Sequence, residues 1–129
     1  MKQKRQPVLD ETDEKVVELF AELGLPKNLA KTLIYISQVE ECKSADVERG
    51  ANLRQPEVSV AMQELRRRGW ATKRDVKKKG KGRPVHVYRL TVPLSEIIRQ
   101  LEEEKMKEMD SIKESLQELK EMIQRYEKK

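Results

Sequence analysis

Residues 44–69 read SADVERGANLRQPEVSVAMQELRRRG, and this stretch decides the fold. Ser44 is a residue type that caps a helix N-terminus, so a short helix over residues 45–49 is expected after it. Gly50 suits the end of that helix, and Ala51-Asn52-Leu53 makes a tight turn. Gln55-Pro56 opens a second helix, because proline is tolerated in a first turn whose N–H groups lack intrahelical acceptors. Val58, Ala61, Met62 and Leu65 recur at helical spacing and give this helix one apolar face. Arg66, Arg67 and Arg68 fill its last turn, where cations suit the helix dipole, and Gly69 stops it. A short helix, a tight turn and a second helix make a helix-turn-helix.

Downstream, residues 70–76 and 85–92 alternate in the manner of short strands, with Tyr88 and Leu90 sharing one face. The linker between them, KKKGKGRP at 77–84, reads as a hairpin loop. A hairpin directly after a helix-turn-helix is a wing. Upstream, Val16, Leu19, Phe20 and Leu23 mark a first helix, capped by Asp10 or Thr12 and stopped by Gly24. Pro26 starts a second helix that is expected to run to about residue 40. Residues 1–9 read as a disordered basic arm.

After Pro93 there is neither proline nor glycine. Leu94, Ile98 and Leu101 step by 4 and 3; Met109, Ile112, Leu116, Leu119, Ile123 and Tyr126 step by 3-4-3-4-3. Those are heptad spacings, joined through Lys105 by a stutter. An apolar stripe on so long a helix needs a partner, most simply a second copy of the chain. The pairing direction stays open at this point. The expected fold class is therefore mostly α with a small β-hairpin wing: a winged helix-turn-helix over 10–92 and a C-terminal coiled-coil dimerisation helix over 93–129.

Charge is distributed unevenly. Residues 51–92 carry a net +9, whereas 1–24 carry −2, 25–50 are neutral and 93–129 carry −2. A basic block of this kind attracts a polyanion, with counterion release from phosphates driving the association. The helix-turn-helix says which polyanion: an α-helix fits the major groove of B-form DNA, where base edges present a distinct donor and acceptor code. With the apolar face of the helix turned inward, Gln55, Pro56, Glu57, Ser59, Val60, Gln63 and Arg67 face outward. Gln55 and Gln63 have the paired groups that suit adenine. Glu57 could accept from cytosine, Ser59 could serve base or phosphate, and Val60 could touch a thymine methyl. Arg54, Arg66 and Arg67 are candidates for phosphates, as is Lys73 on the first strand. On the loop, Lys79 and Lys81 flank the glycines, and Arg83 stands between Gly82 and Pro84 where it could enter a narrow minor groove.

The order of these motifs resembles that of archaeal winged-helix transcriptional regulators of the TrmB and MarR-like type. The residues that carry the resemblance are Gly24-Leu25-Pro26 into Ala30-Lys31, Ser44-Ala45-Asp46-Val47, Leu53 to Ser59, Leu65 to Trp70, Gly82-Arg83-Pro84 and Tyr88-Arg89-Leu90-Thr91. The resemblance implies a dimeric regulator whose fourth helix reads the major groove through Gln55, Ser59, Val60 and Gln63, with Arg83 on the wing. It departs at Val60, where such helices often carry a base, and in having only a helix where full-length TrmB regulators carry a sugar-binding domain. No small-molecule effector is implied.

Catalysis is not expected. The single histidine, His86, and the single cysteine, Cys42, have no metal-ligand spacing and no nucleophile–base pattern. No cofactor or metal is implied. No stretch reaches the roughly 20 apolar residues of a membrane span, and the basic start lacks an apolar segment after it, so the cytoplasm is the expected compartment. Two other roles stay open: an architectural DNA binder without base readout, and a protein-docking winged helix within a transcription complex. RNA fits less well, since aromatic residues are only 4% of the chain.

Overall fold

The computed structural model describes residues 8–76 and 85–128. The order is α1 (Glu11–Glu22), α2 (Lys27–Ser37), α3 (Ser44–Ala51), α4 (Gln55–Arg67), β1 (Ala71–Val76), β2 (Val85–Leu90) and α5 (Leu94–Glu127). This is the expected mostly helical chain with one antiparallel hairpin and a long final helix. It divides into two compact units, 1–94 and 95–129.

In the first unit α2 lies at the centre and packs against α1, α3, α4 and β2. Its Ala30, Leu33, Tyr35 and Ile36 are fully buried, and they meet a core completed by Val17, Phe20, Val47, Val58, Met62 and Leu65. Buried Thr32 satisfies its hydroxyl by donating to the Asn28 carbonyl at 2.9 Å. The Tyr35 hydroxyl is buried and has no hydrogen-bond partner among the described residues; burial pushes its pKa up to about 12.

Left-handed residues end three of the helices. Gly24 (φ 95°) and Gly69 (φ 79°) follow α1 and α4. The amides of Leu25 and Trp70 then reach back to the carbonyls of Phe20 and Leu65 at 3.0 and 2.9 Å. That is the Schellman pattern, which satisfies otherwise orphaned carbonyls.

Local chemistry moves several expected boundaries. α2 stops at Ser37, not near residue 40. The Ser37 hydroxyl donates to the Ile34 carbonyl, and the chain must then extend so that Cys42 can pair with Tyr88. Ser44 does not cap α3. It is the first helical residue; Lys43 stands at the N-cap position, and the capping bond comes from Asp46 in the first turn, whose carboxylate accepts the Lys43 amide at 2.8 Å. Gly50 does not end that helix either; it lies inside, its carbonyl held by the Leu9 amide at 3.0 Å, and the turn falls on left-handed Asn52.

The hairpin runs in a simple register from Ala71 opposite Leu90 to Val76 opposite Val85. Cys42 adds a one-residue third strand through two backbone bonds with Tyr88, 3.0 and 2.8 Å long. At the hairpin base the Thr91 amide and hydroxyl donate to the carbonyls of Trp70 and Gly69. The second unit is one unbroken helix, about 51 Å long at 1.5 Å per residue. Met106, Met109, Ile112, Leu116, Leu119, Met122, Ile123 and Tyr126 stand exposed along it. Among the described residues no helix is long and apolar enough to cross a membrane.

Candidate nucleic-acid interface

α4 carries the site, and its sidedness comes from the core. Val58, Ala61, Met62 and Leu65 are buried, which turns the opposite face outward. Gln55, Pro56, Val60, Gln63, Arg66 and Arg67 are exposed, and Ser59 is half-buried. Val60 is 67% exposed and lies with Pro56, Leu29 and Ala61 along an apolar groove of about 550 Å³. An apolar side chain this open contributes nothing to the core, so it is available for contact.

The first turn of α4 is held by Glu57. Its carboxylate accepts the Arg54 amide at 2.8 Å and the Asn28 side-chain amide at 3.3 Å. The same group thus caps α4 and ties it to α2. These bonds, that from Arg54 foremost, keep the Glu57 carboxyl below its ordinary pKa. The glutamate expected to read a base is in this geometry a cap, with both oxygens occupied. Arg54 itself projects into solvent, its side chain 87% exposed.

The cations at the other end of α4 divide into two sets. Glu64 binds Arg67 through a forked pair and Arg68 at 2.7 Å. Arg68 also lies over the Trp70 ring, 5.0 Å from its centre, as a cation on a π face. The Arg66 side chain is exposed and makes no hydrogen bond or ion pair among the described residues. Of the wing cations, Lys73 is half-buried on β1, and Lys79, Lys81 and Arg83 lie outside the described residues.

Three features of the site have no signature in the sequence. Asn28 is a partner of Glu57 from 29 residues away. Glu41 makes a forked bond to Arg74, 2.9 Å on each side, which fixes β1 to the segment carrying Cys42. His86 Nδ1 lies 2.6 Å from an Asp75 oxygen across the hairpin. Each partnership joins residues that only the fold brings together. Burial pushes the Cys42 thiol up to about 12, which leaves it protonated and unreactive at neutral pH.

No protein-family model matches this sequence, and no curated protein does. Solved structures do. A possible transcriptional regulator from Methanosarcina mazei superposes with a TM-score of 0.63 at 14% identity, over 88% of this chain and 98% of that one. TrmBL2, described as an archaeal chromatin protein with a novel mode of DNA binding, gives 0.57 at 20% identity over 92% of this chain. The chain has a winged-helix fold. A MarR-family transcriptional regulator from Silicibacter pomeroyi extends the likeness, with a TM-score of 0.52 at 18% identity, over 86% of this chain and 79% of that one. The winged-helix chain described here spans only 44% of the length of TrmBL2. These neighbours are described as a possible transcriptional regulator, a chromatin protein and a MarR-family transcriptional regulator.

Proposed function

We propose that this protein is a dimeric, sequence-specific, double-stranded-DNA-binding transcriptional regulator of the cytoplasm, and not an enzyme. The observation that carries the reading is the outward face of α4. Gln55, Ser59 and Gln63 stand on it beside exposed Val60, within a segment of net charge +9. Amide side chains suit adenine edges, and Val60 with Pro56 suits thymine methyls, so the face favours A·T steps in a major groove. Arg54 and Arg66 supply phosphate contacts that position without specifying. Lys73, Lys79, Lys81 and Arg83 extend the contact along the wing toward the flanking minor groove. Arg67 adds to the phosphate contacts once released from Glu64. Glu57 contributes by holding the first turn of α4. The exposed stripe of α5 from Met109 to Tyr126, with Ile98 and half-buried Leu94 before it, forms the dimer seam; Leu101, expected on the same stripe, is instead buried within the single chain and is left out of it. Two copies then address two half-sites about one DNA turn apart, roughly 34 Å, or a multiple of it.

A second reading is an architectural DNA binder, favoured by the likeness to TrmBL2, which is described as a chromatin protein. Selection of bound duplexes from a random pool decides between the two. A regulator enriches one motif with two-fold symmetry, and Gln55→Ala with Gln63→Ala erases the enrichment. An architectural protein enriches no motif, and the same substitutions leave its binding unchanged.

A further inference from the structure

The exposed apolar residues of α5 fall in one heptad frame. Met109, Leu116 and Ile123 occupy a positions and Ile112, Leu119 and Tyr126 occupy d, all between 43% and 72% exposed. The frame fixes what flanks the seam: Glu108, Ser115 and Met122 at g, and Lys113, Lys120 and Glu127 at e. Charges at e and g govern how two such helices align.

In a parallel, in-register pair each g residue meets the e residue five places on in the other helix. Glu108 then faces Lys113 of the second copy on both flanks, Ser115 faces Lys120, and Met122 faces Glu127, so no like charges meet. An antiparallel pair that fills all six layers sets residue 109 against 126, 112 against 123 and 116 against 119. Its e positions meet each other, which places Lys113 against Lys120 twice, with no opposite charge to compensate between residues 109 and 126. Like charges directly opposed suppress a pairing. Within the single chain Lys113 and Lys120 make no ion pair among the described residues. Glu108 is 3.0 Å from Lys105, an exposed pair on one helix that is worth little and leaves the other oxygen open.

We infer that α5 pairs with a second copy of this chain as a parallel two-stranded coiled coil, with Glu108 and Lys113 as its interchain ion pair. The two helices start at the same end. The inference rests on the dimeric reading above and adds to it the orientation and the residues that set it.

Full-length chains with Cys42→Ala test this by cross-linking. In a parallel pair, residue 123 of one copy lies opposite residue 123 of the other, within the Cα separation of about 6 Å that a disulfide spans. In the antiparallel pair the two are offset by 11 residues, about 17 Å along the axis, and 123 faces 112. The expected result is a dimer in sedimentation equilibrium, a covalent dimer when Ile123→Cys is oxidised, and no mixed product from Ile112→Cys exchanged with tagged Ile123→Cys. A dimer that yields only the mixed product overturns the orientation and leaves the dimer intact. A monomer in sedimentation overturns the dimeric reading and this inference with it. Charge reversal gives a second measure. Glu108→Lys raises the dimer Kd about threefold to tenfold, and adding Lys113→Glu restores it; failure of the restoration overturns the assigned ion pair.

Discussion

Two glutamates with different partners bracket α4, and each sets a separate expectation. Glu57 fastens the first turn to α2 through Asn28. Glu64 holds the last turn, where hydrogen bonds from Arg67 and then Arg68 bring its carboxyl down from 4.5 to about 2. Because the folded value is depressed, the stabilisation is present above the ordinary carboxylate pKa and is lost as pH falls through the folded one. Glu64→Gln is therefore expected to lower the melting temperature slightly at pH 7, with the gap to the parent closing between pH 4.5 and about 2 in thermal melts. Gly69 sets the other residue-scale expectation. Its φ is 79° and a Cβ there would meet nothing within 4 Å, so Gly69→Ala costs backbone strain alone. The expected loss is about 1–2 kcal/mol, read as a fall in melting temperature of several degrees. Single residues are where the sequence was least legible. Ser44 looked like a cap because serine often is one, yet Asp46 supplies the capping carboxylate. Gly50 looked like a stop, yet α3 runs on to Ala51, and the turn expected over residues 51–53 centres on left-handed Asn52. Several residue types fit each of these local roles, and tertiary contacts select among them.

The elements themselves were largely legible, because burial imposes a period on each. The spacing of Val58, Ala61, Met62 and Leu65 was enough to place α4 and its outward face. The strands followed from alternation, and their register is the simple antiparallel one. What escaped was the third strand at Cys42, since one residue has no periodicity. It also explains the early end of α2. The face of α4 yields two expectations with different signatures. Gln55→Ala or Gln63→Ala should cost about 1–3 kcal/mol of affinity for the preferred duplex and little for a scrambled one. Arg66→Ala should weaken binding to both alike and lower the salt slope by about one. Titrations of each variant against both duplexes at several salt concentrations separate the two kinds of contact. Melting temperatures should not move, because these side chains lie outside the core.

For the whole molecule, the charge map and the fold converge. The segment of net charge +9 begins just before α4 and runs through the wing, while α5 carries the unpartnered apolar stripe. One unit thus carries the excess positive charge and the other the exposed apolar stripe. This division was legible in the sequence because charge blocks and heptads survive without knowledge of packing. The candidate site was legible only as a face: which of its cations are engaged depends on Glu64 and Glu41, and the sequence does not display their pairings. The central claim, specific binding of duplex DNA, is tested most directly by fluorescence anisotropy of the full chain. The duplexes are its own upstream region and a scrambled version, each at two salt concentrations. The account expects the upstream duplex to bind at least about 10³-fold more tightly, with affinity for both falling steeply as salt rises. Equal binding to the two duplexes would contradict the specificity, and no binding to either would contradict the DNA interface itself.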